Sequence, residues 1–163
     1  MKLIRLGSIA VGLIILVCCG CSDKTILSGG TYKLSHISIV QDECHMKDYF
    51  VEGHEIKVTL KDKFITIDWD EDATPLTGTI AGKDFIVSSS KDEDVIPDTD
   101  CQDKWRKKIT GTLVGKDGLT GTYEFSDTTV RGKDCNDENK IGFTPPSCKT
   151  TMTFTATNTA TKK

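Results

Sequence analysis

The chain is poor in the features that would announce chemistry. Its 163 residues include three histidines, four prolines and 7% aromatic residues. No Gly-x-Ser-x-Gly elbow, phosphate-cradling Gly-x-x-x-x-Gly-Lys loop or His-Glu-x-x-His pair occurs in it. Nothing in the sequence calls for a cofactor. No basic excess exists either: the formal net charge is −3. An acidic chain without a Lys/Arg stripe excludes nucleic acid as a partner. The longest uncharged, mostly apolar run, Leu6 to Val17, is shorter than the roughly 20 residues of a spanning helix. Amphipathic helices of ten or more residues are also lacking; residues 46–54 hold at most one turn.

The apolar run nevertheless has a clear form. Lys2 and Arg5 precede it, and Leu16-Val17-Cys18-Cys19-Gly20-Cys21-Ser22 ends it. A short positive start, an apolar stretch and a small-residue exit make an export signal. The exit resembles the lipobox of bacterial lipoproteins, in which a cysteine receives diacylglycerol before cleavage. Gly20 before Cys21 fits that pattern, while Cys18 stands where an aliphatic residue is usual. Cys19 has Leu16 three positions before it but Cys18 directly before it. The resemblance implies lipidation at Cys21, with Cys19 as the alternative, and removal of residues 1–20 as signal peptide. Residues 21–30 then form the palmitate-bearing N-terminus and a linker, 31–158 one domain, and 159–163 a tail. The mature chain carries 19 bases and 24 acids, a net charge of −5. Ser22 after the cysteine offers no acidic inner-membrane retention signal, so the resemblance implies a place in the bacterial cell envelope, lipid-anchored at the outer membrane.

Beyond the linker nearly every apolar segment has period two. Ile56, Val58 and Leu60 alternate with Glu55, Lys57 and Thr59, and Met152, Phe154 and Ala156 sit among Thr151, Thr153, Thr155 and Thr157. β-branched residues suit the pleated surface. Eight strands are predicted, at 31–40, 55–60, 64–69, 76–81, 84–89, 105–114, 119–125 and 150–157. The apolar parity slips between Tyr32-x-Leu34 and Ile37-x-Ile39, which predicts a bulge near His36. Lys61-Asp62-Lys63, Gly82-Lys83-Asp84 and Gly115-Lys116-Asp117-Gly118 are hairpin turns. Thr77 to Asp84 is echoed by Thr110 to Asp117, a hairpin solution used twice. The fold class is all-β: an eight-stranded antiparallel up-and-down meander that closes into a barrel, with a two-sheet β-sandwich as the alternative. Gly78, Gly111 and Gly121 fall at inward parity, where glycine permits either tight coiling or room for a ligand.

Gly30-Thr31-Tyr32 opens the first strand where lipocalin-like proteins carry Gly-x-Trp. The domain therefore resembles a lipocalin-like barrel, with tyrosine for tryptophan and no arginine on the last strand to stack on it. That resemblance implies a small-ligand barrel.

Strand parity orders the four cysteines of the domain. Cys44 follows the first strand and Cys148 precedes the last, at the same end of a closed meander; Cys101 precedes the sixth strand and Cys135 follows the seventh, again at that end. Four cysteines allow three pairings. Cys44–Cys148 and Cys101–Cys135 are the pairs that need no crossing of the barrel, and export favours their oxidation. Their wide spacing gives no zinc or redox motif.

The long connections 41–54, 70–75, 90–104 and 126–149 fall at this same end and carry 17 acids against 7 bases. The rest of the mature chain carries 7 acids and 12 bases. Asp92-Glu93-Asp94, with Asp98, Asp100 and Asp103, is the densest acidic run, and Asp70-Glu71-Asp72 lies at the same end. Oxygen-rich loops can hold calcium, but the spacing matches no EF-hand loop and reads as solvation. His36, His45 and His54 match no ligand motif, so no metal site is assigned. Trp69 and Trp105 read as core or rim residues. The expected function is a non-catalytic, lipid-anchored envelope protein that binds an apolar small ligand or an envelope protein through its loop end. A structural or surface-coat lipoprotein is the alternative, and an envelope enzyme is the third reading. Replacing Cys21 by Ala in the full chain should abolish palmitate labelling and release the protein from the membrane fraction of a Gram-negative host; unchanged labelling would move the acyl site elsewhere, Cys19 first.

Overall fold

The computed structural model describes residues 27–69 and 74–161. Eight strands run through it: β1 Gly30–Asp42, β2 Glu55–Lys61, β3 Phe64–Asp68, β4 Leu76–Ala81, β5 Asp84–Val95, β6 Gln102–Val114, β7 Gly118–Arg131 and β8 Ser147–Asn158. Each pairs antiparallel with its neighbours, and β1 pairs with β8, so the meander closes in a ring with no free sheet edge. One four-residue helix, α1 (Glu138–Ile141), and short 3-10 turns complete the described residues.

Burial follows the sequence alternation. Along β2 the even positions Ile56 and Val58 are buried while Glu55, Lys57 and Thr59 are exposed. β8 buries Cys148, Thr150, Met152, Phe154 and Ala156 in turn. The inward side chains fill the ring, with Tyr32, Leu34, Ile67, Ile109, Leu119, Tyr123 and Met152 among the most buried. Each such side chain contributes about 1.5–3 kcal/mol by leaving water. Two inward glycines show how the ring closes so tightly. Gly111 and Gly121 lie opposite each other across β6 and β7. A Cβ on Gly111 would stand 2.2 Å from the Thr120 carbonyl oxygen and 2.6 Å from the Phe85 ring; on Gly121 it would meet the Phe154 ring at 3.0 Å. Those glycines therefore seat two aromatic rings, and the barrel is filled at their level.

β1 leaves register with β8 between Ser35 and Ser38, where His36 adopts φ 53°. The extra residue there restores inward parity, as a bulge does. At the turn end, Tyr32 lies opposite Asn158 across the β1–β8 seam, and its hydroxyl donates to the Ser28 carbonyl oxygen at 2.5 Å.

The strands at the loop end run further than the alternation predicts. β5 continues to Val95 and β6 begins at Gln102, so most of the predicted acidic loop 90–104 is instead a hairpin that overhangs the ring. Asp and Glu are poor strand formers, yet the cross-strand ladder continues through them, with Asp94 opposite Asp103 after a register shift at Lys91. Ion pairs steady the overhang: Lys91 with Asp94 at 2.7 Å and Arg131 with Glu93 at 3.2 Å. β7 likewise reaches Arg131 rather than residue 125.

Two disulfides staple this end, Cys44–Cys148 beside the seam and Cys101–Cys135 under the overhang. With Ile141 and Phe143 they form a second, smaller core above the main one. The bridges close loops of 104 and 34 residues in sequence separation. Removing either pair as Cys→Ser should lower stability by roughly 2–4 kcal/mol in chemical denaturation. Peptide mapping without reduction should return these two pairs, and a Cys135–Cys148 peptide would contradict the order of strands at this end.

Candidate functional site

Above the filled barrel, at the loop end, lies an open cavity of about 930 Å³. Its floor is aromatic. Trp69, 4% exposed, contacts Tyr123 at 5.0 Å between ring centroids, Phe154 edge-on at 5.4 Å and Phe50 edge-on at 6.3 Å. Phe50 arrives from the loop after β1 and plugs the ring beneath the cavity. Asp42 holds that loop in place: its carboxylate accepts the Met46 and Lys47 backbone N–H groups at 2.6 and 3.1 Å and the Thr150 hydroxyl at 3.0 Å. His54 stacks on Trp69 at 5.9 Å, with its Nε2 2.9 Å from the Trp69 carbonyl oxygen.

One wall is built by the inward positions of the overhanging β6 and β7. Alternation brings Asp103, Trp105 and Lys107 to the inside of β6, and Phe125 and Asp127 to the inside of β7. Trp105 pairs with Asp127 across the strands, which sets Asp127 beside Asp103. The Lys107 ammonium lies over the Trp105 ring, 5.3 Å from its centroid. The opposite wall and roof come from His45, Met46, Ile96, Pro97, Ile141 and Phe143.

Asp103 and Asp127 are the unusual members. They are 6% and 9% exposed, and one carboxylate oxygen of each, Oδ1, is buried with no hydrogen-bond partner. Neither takes part in an ion pair among the described residues. Burial pushes Asp127 up to about 7, helped by a hydrogen bond with the Asp103 carboxyl and by that group's like charge, against a Thr128 backbone N–H that favours the anion. The two carboxyls lie close enough that the charge of Asp103 opposes ionisation of Asp127. Chemically the cavity offers an apolar, ring-lined seat with a buried acid pair on one wall.

The other residues singled out by sequence are scattered. Cys21 and Cys19, and the run Asp70-Glu71-Asp72, lie outside the described residues. The acidic run from Asp92 to Asp103 is not one solvated loop: Asp94 and Glu93 are ion-paired, Asp100 accepts the Asp134 backbone N–H at 2.8 Å, and Asp103 turns inward. Among the described residues no group of three or more His, Cys, Asp or Glu side chains converges as a metal site would. Trp69 and Trp105 both line the cavity, as do His45 and His54, whereas His36 sits at the bulge, 3.1 Å from the Thr155 hydroxyl. Asp127 was not visible to sequence reasoning. Its signal was inward parity beyond Phe125, masked because the strand was expected to end there.

No family model, curated protein or solved structure among those compared matches the chain.

The acid pair makes stability depend on pH. Asp127 binds its proton more tightly in the folded chain than in the unfolded one, so the folded state holds the extra proton between about pH 4 and 7. Stability should therefore fall as pH rises through that window. Asp127→Asn should flatten the slope and raise the melting temperature by several degrees at pH 8, with little change at pH 4. A wild-type melting curve unaffected by pH across this range would contradict the buried pair.

Proposed function

We propose that this protein is a lipid-anchored envelope protein that binds a small ligand, without turning it over, in the cavity at its loop end. The observation that carries the reading is the cavity itself: about 930 Å³, lined by Trp69, Trp105 and Phe125, over a barrel whose interior is otherwise filled. Ligand seats are typically concave, mostly apolar and furnished with a few convergent polar groups. A barrel mouth of this kind fits a lipocalin-like role, with the seat moved outward because Phe85 and Phe154 occupy the space over Gly111 and Gly121.

Anchorage rests on the export signal and on Cys21. The ring topology supports an orientation. The three tight turns, with Lys61, Lys63, Lys83 and Lys116, share one end with the start of β1, where the Ser28 N–H donates to the Lys116 carbonyl oxygen. Phe64 and Val114 are exposed there at 62% and 54%. This end faces the bilayer, where a lysine near anionic headgroups adds at best about 1 kcal/mol. The cavity then opens away from the membrane.

An enzymatic reading has one observation in its favour, the buried Asp127 beside the Asp103 carboxyl, with Asp127 pushed up to about 7, the kind of perturbed acid that acid–base sites use. Extraction of the lipidated full chain distinguishes the readings. Small molecules released by denaturation and identified by mass spectrometry should be enriched over a Trp105→Ala variant. Identical extracts would favour a structural coat protein, and a chemically altered product accumulating only with wild-type protein would favour the enzyme.

A further inference from the structure

We infer that the cavity selects an organic cation, an ammonium group carried on an apolar or aromatic body, with the charge seated at Asp103 and Asp127 and the body on the ring-lined floor. The inference rests on the ligand-binding reading above and names the class of ligand.

The acid pair supplies the first argument. Asp103 and Asp127 are each more than nine-tenths buried, each has an Oδ1 buried without a partner, and both residues line the cavity. A buried polar atom without a partner is costly, and more so when charged. Two neighbouring buried carboxylates repel each other unless one is protonated or a cation lies beside them. A ligand ammonium seated against this wall would supply that cation, and its N–H groups would donate to the carboxyls that line it. A carboxylate or phosphate ligand would add repulsion, and an uncharged one would leave an oxygen unsatisfied.

The charge of the lining points the same way. Among the described residues lining the cavity, Asp103 and Asp127 are acids without an ion pair, Glu55 and Asp94 are paired with Lys33 and Lys91, and Lys107 is the one lysine or arginine. His45 and His54 are the remaining titratable groups of basic type there. A concave site lined by one sign of charge concentrates ligands of the other.

The rings supply the third argument. Lys107 already places its ammonium over the face of Trp105 at 5.3 Å. Within about 6 Å of a ring centroid a cation is attracted by the ring quadrupole. The wall thus accepts a cation in this chain's own side chain, one strand position from where a ligand cation would meet the acid pair. Trp69, Phe125 and Tyr49 supply further aromatic surface for the body of the ligand.

The chain's only two tryptophans, Trp69 and Trp105, both line the cavity, so intrinsic fluorescence reports on it directly. The full chain in detergent is titrated at pH 7.5 with three probes of one body: 2-phenylethylammonium, 2-phenylethanol and phenylacetate. The ammonium is expected to bind at least about tenfold more tightly than the other two. In Asp103→Asn/Asp127→Asn that preference should vanish while 2-phenylethanol binding persists. Circular dichroism verifies that this variant is folded, and Asp127→Asn alone serves if it is not, with a reduced preference expected. Equal or tighter binding of the alcohol or the carboxylate overturns the choice of cation but leaves a ligand site. No saturable change with any probe at millimolar concentration overturns both the inference and the ligand-binding reading.

Discussion

The pairing of the first strand with the last is the constraint on which the rest of the structure depends. β1 and β8 are brought together only at the end of the chain, yet their ladder runs from Tyr32 opposite Asn158 to Asp42 opposite Thr150. Without it the meander would be an open sheet with two long edges and one wet face. With it, every inward side chain meets others across the ring, and the alternation in each strand becomes burial. The same seam carries the bulge at His36, which corrects a parity that would otherwise turn Ile37 and the residues after it the wrong way. It also ends beside Cys44–Cys148, so the pairing of the first strand with the last is held covalently at its loop end.

The filling of that ring explains why the candidate site sits where it does. A barrel of eight strands has an interior just wide enough for side chains or one small ligand. Here Phe85 and Phe154 lie over Gly111 and Gly121, and Phe50 drops in from above, so side chains take the interior. The cavity lies where β5, β6 and β7 continue past the ring, and the segment 135–148 and the loop after β1 complete its lining. The cavity is a product of strand overhang rather than of barrel radius.

Placing two carboxyls in that overhang works against stability. Apolar residues at 103 and 127 would remove two orphaned oxygens and a like-charge contact. Residues that weaken the fold while facing an accessible cavity are where function and stability diverge. The aromatic floor beneath them has the opposite character, with five ring contacts around Trp69 and Phe50 that rigidify the base against which a ligand would rest.

Much of this was legible in the sequence because the signals were local or followed from topology. Ile56, Val58 and Leu60, like Met152, Phe154 and Ala156, declare which face is inside, since side chains alternate with period two whatever the surroundings. The Gly-Lys-Asp turns declare hairpins, and hairpins in series declare a meander. From the meander, strand direction alone puts Cys44 with Cys148 and Cys101 with Cys135. Local pattern stops being informative where tertiary contacts override propensity. Asp92, Glu93 and Asp94 read as a loop because acids are poor strand formers, yet cross-strand pairing and ion pairs carry the ladder through them. Whether Gly111 and Gly121 leave a hole or seat a ring depends on Phe85 and Phe154, which are distant in sequence. Asp103 and Asp127 become a pair only because the β6–β7 register sets them side by side. That register, and the burial that pushes the Asp127 carboxyl up beside Asp103, belongs to the tertiary structure alone, because desolvation is a property of what surrounds a residue and not of the residue.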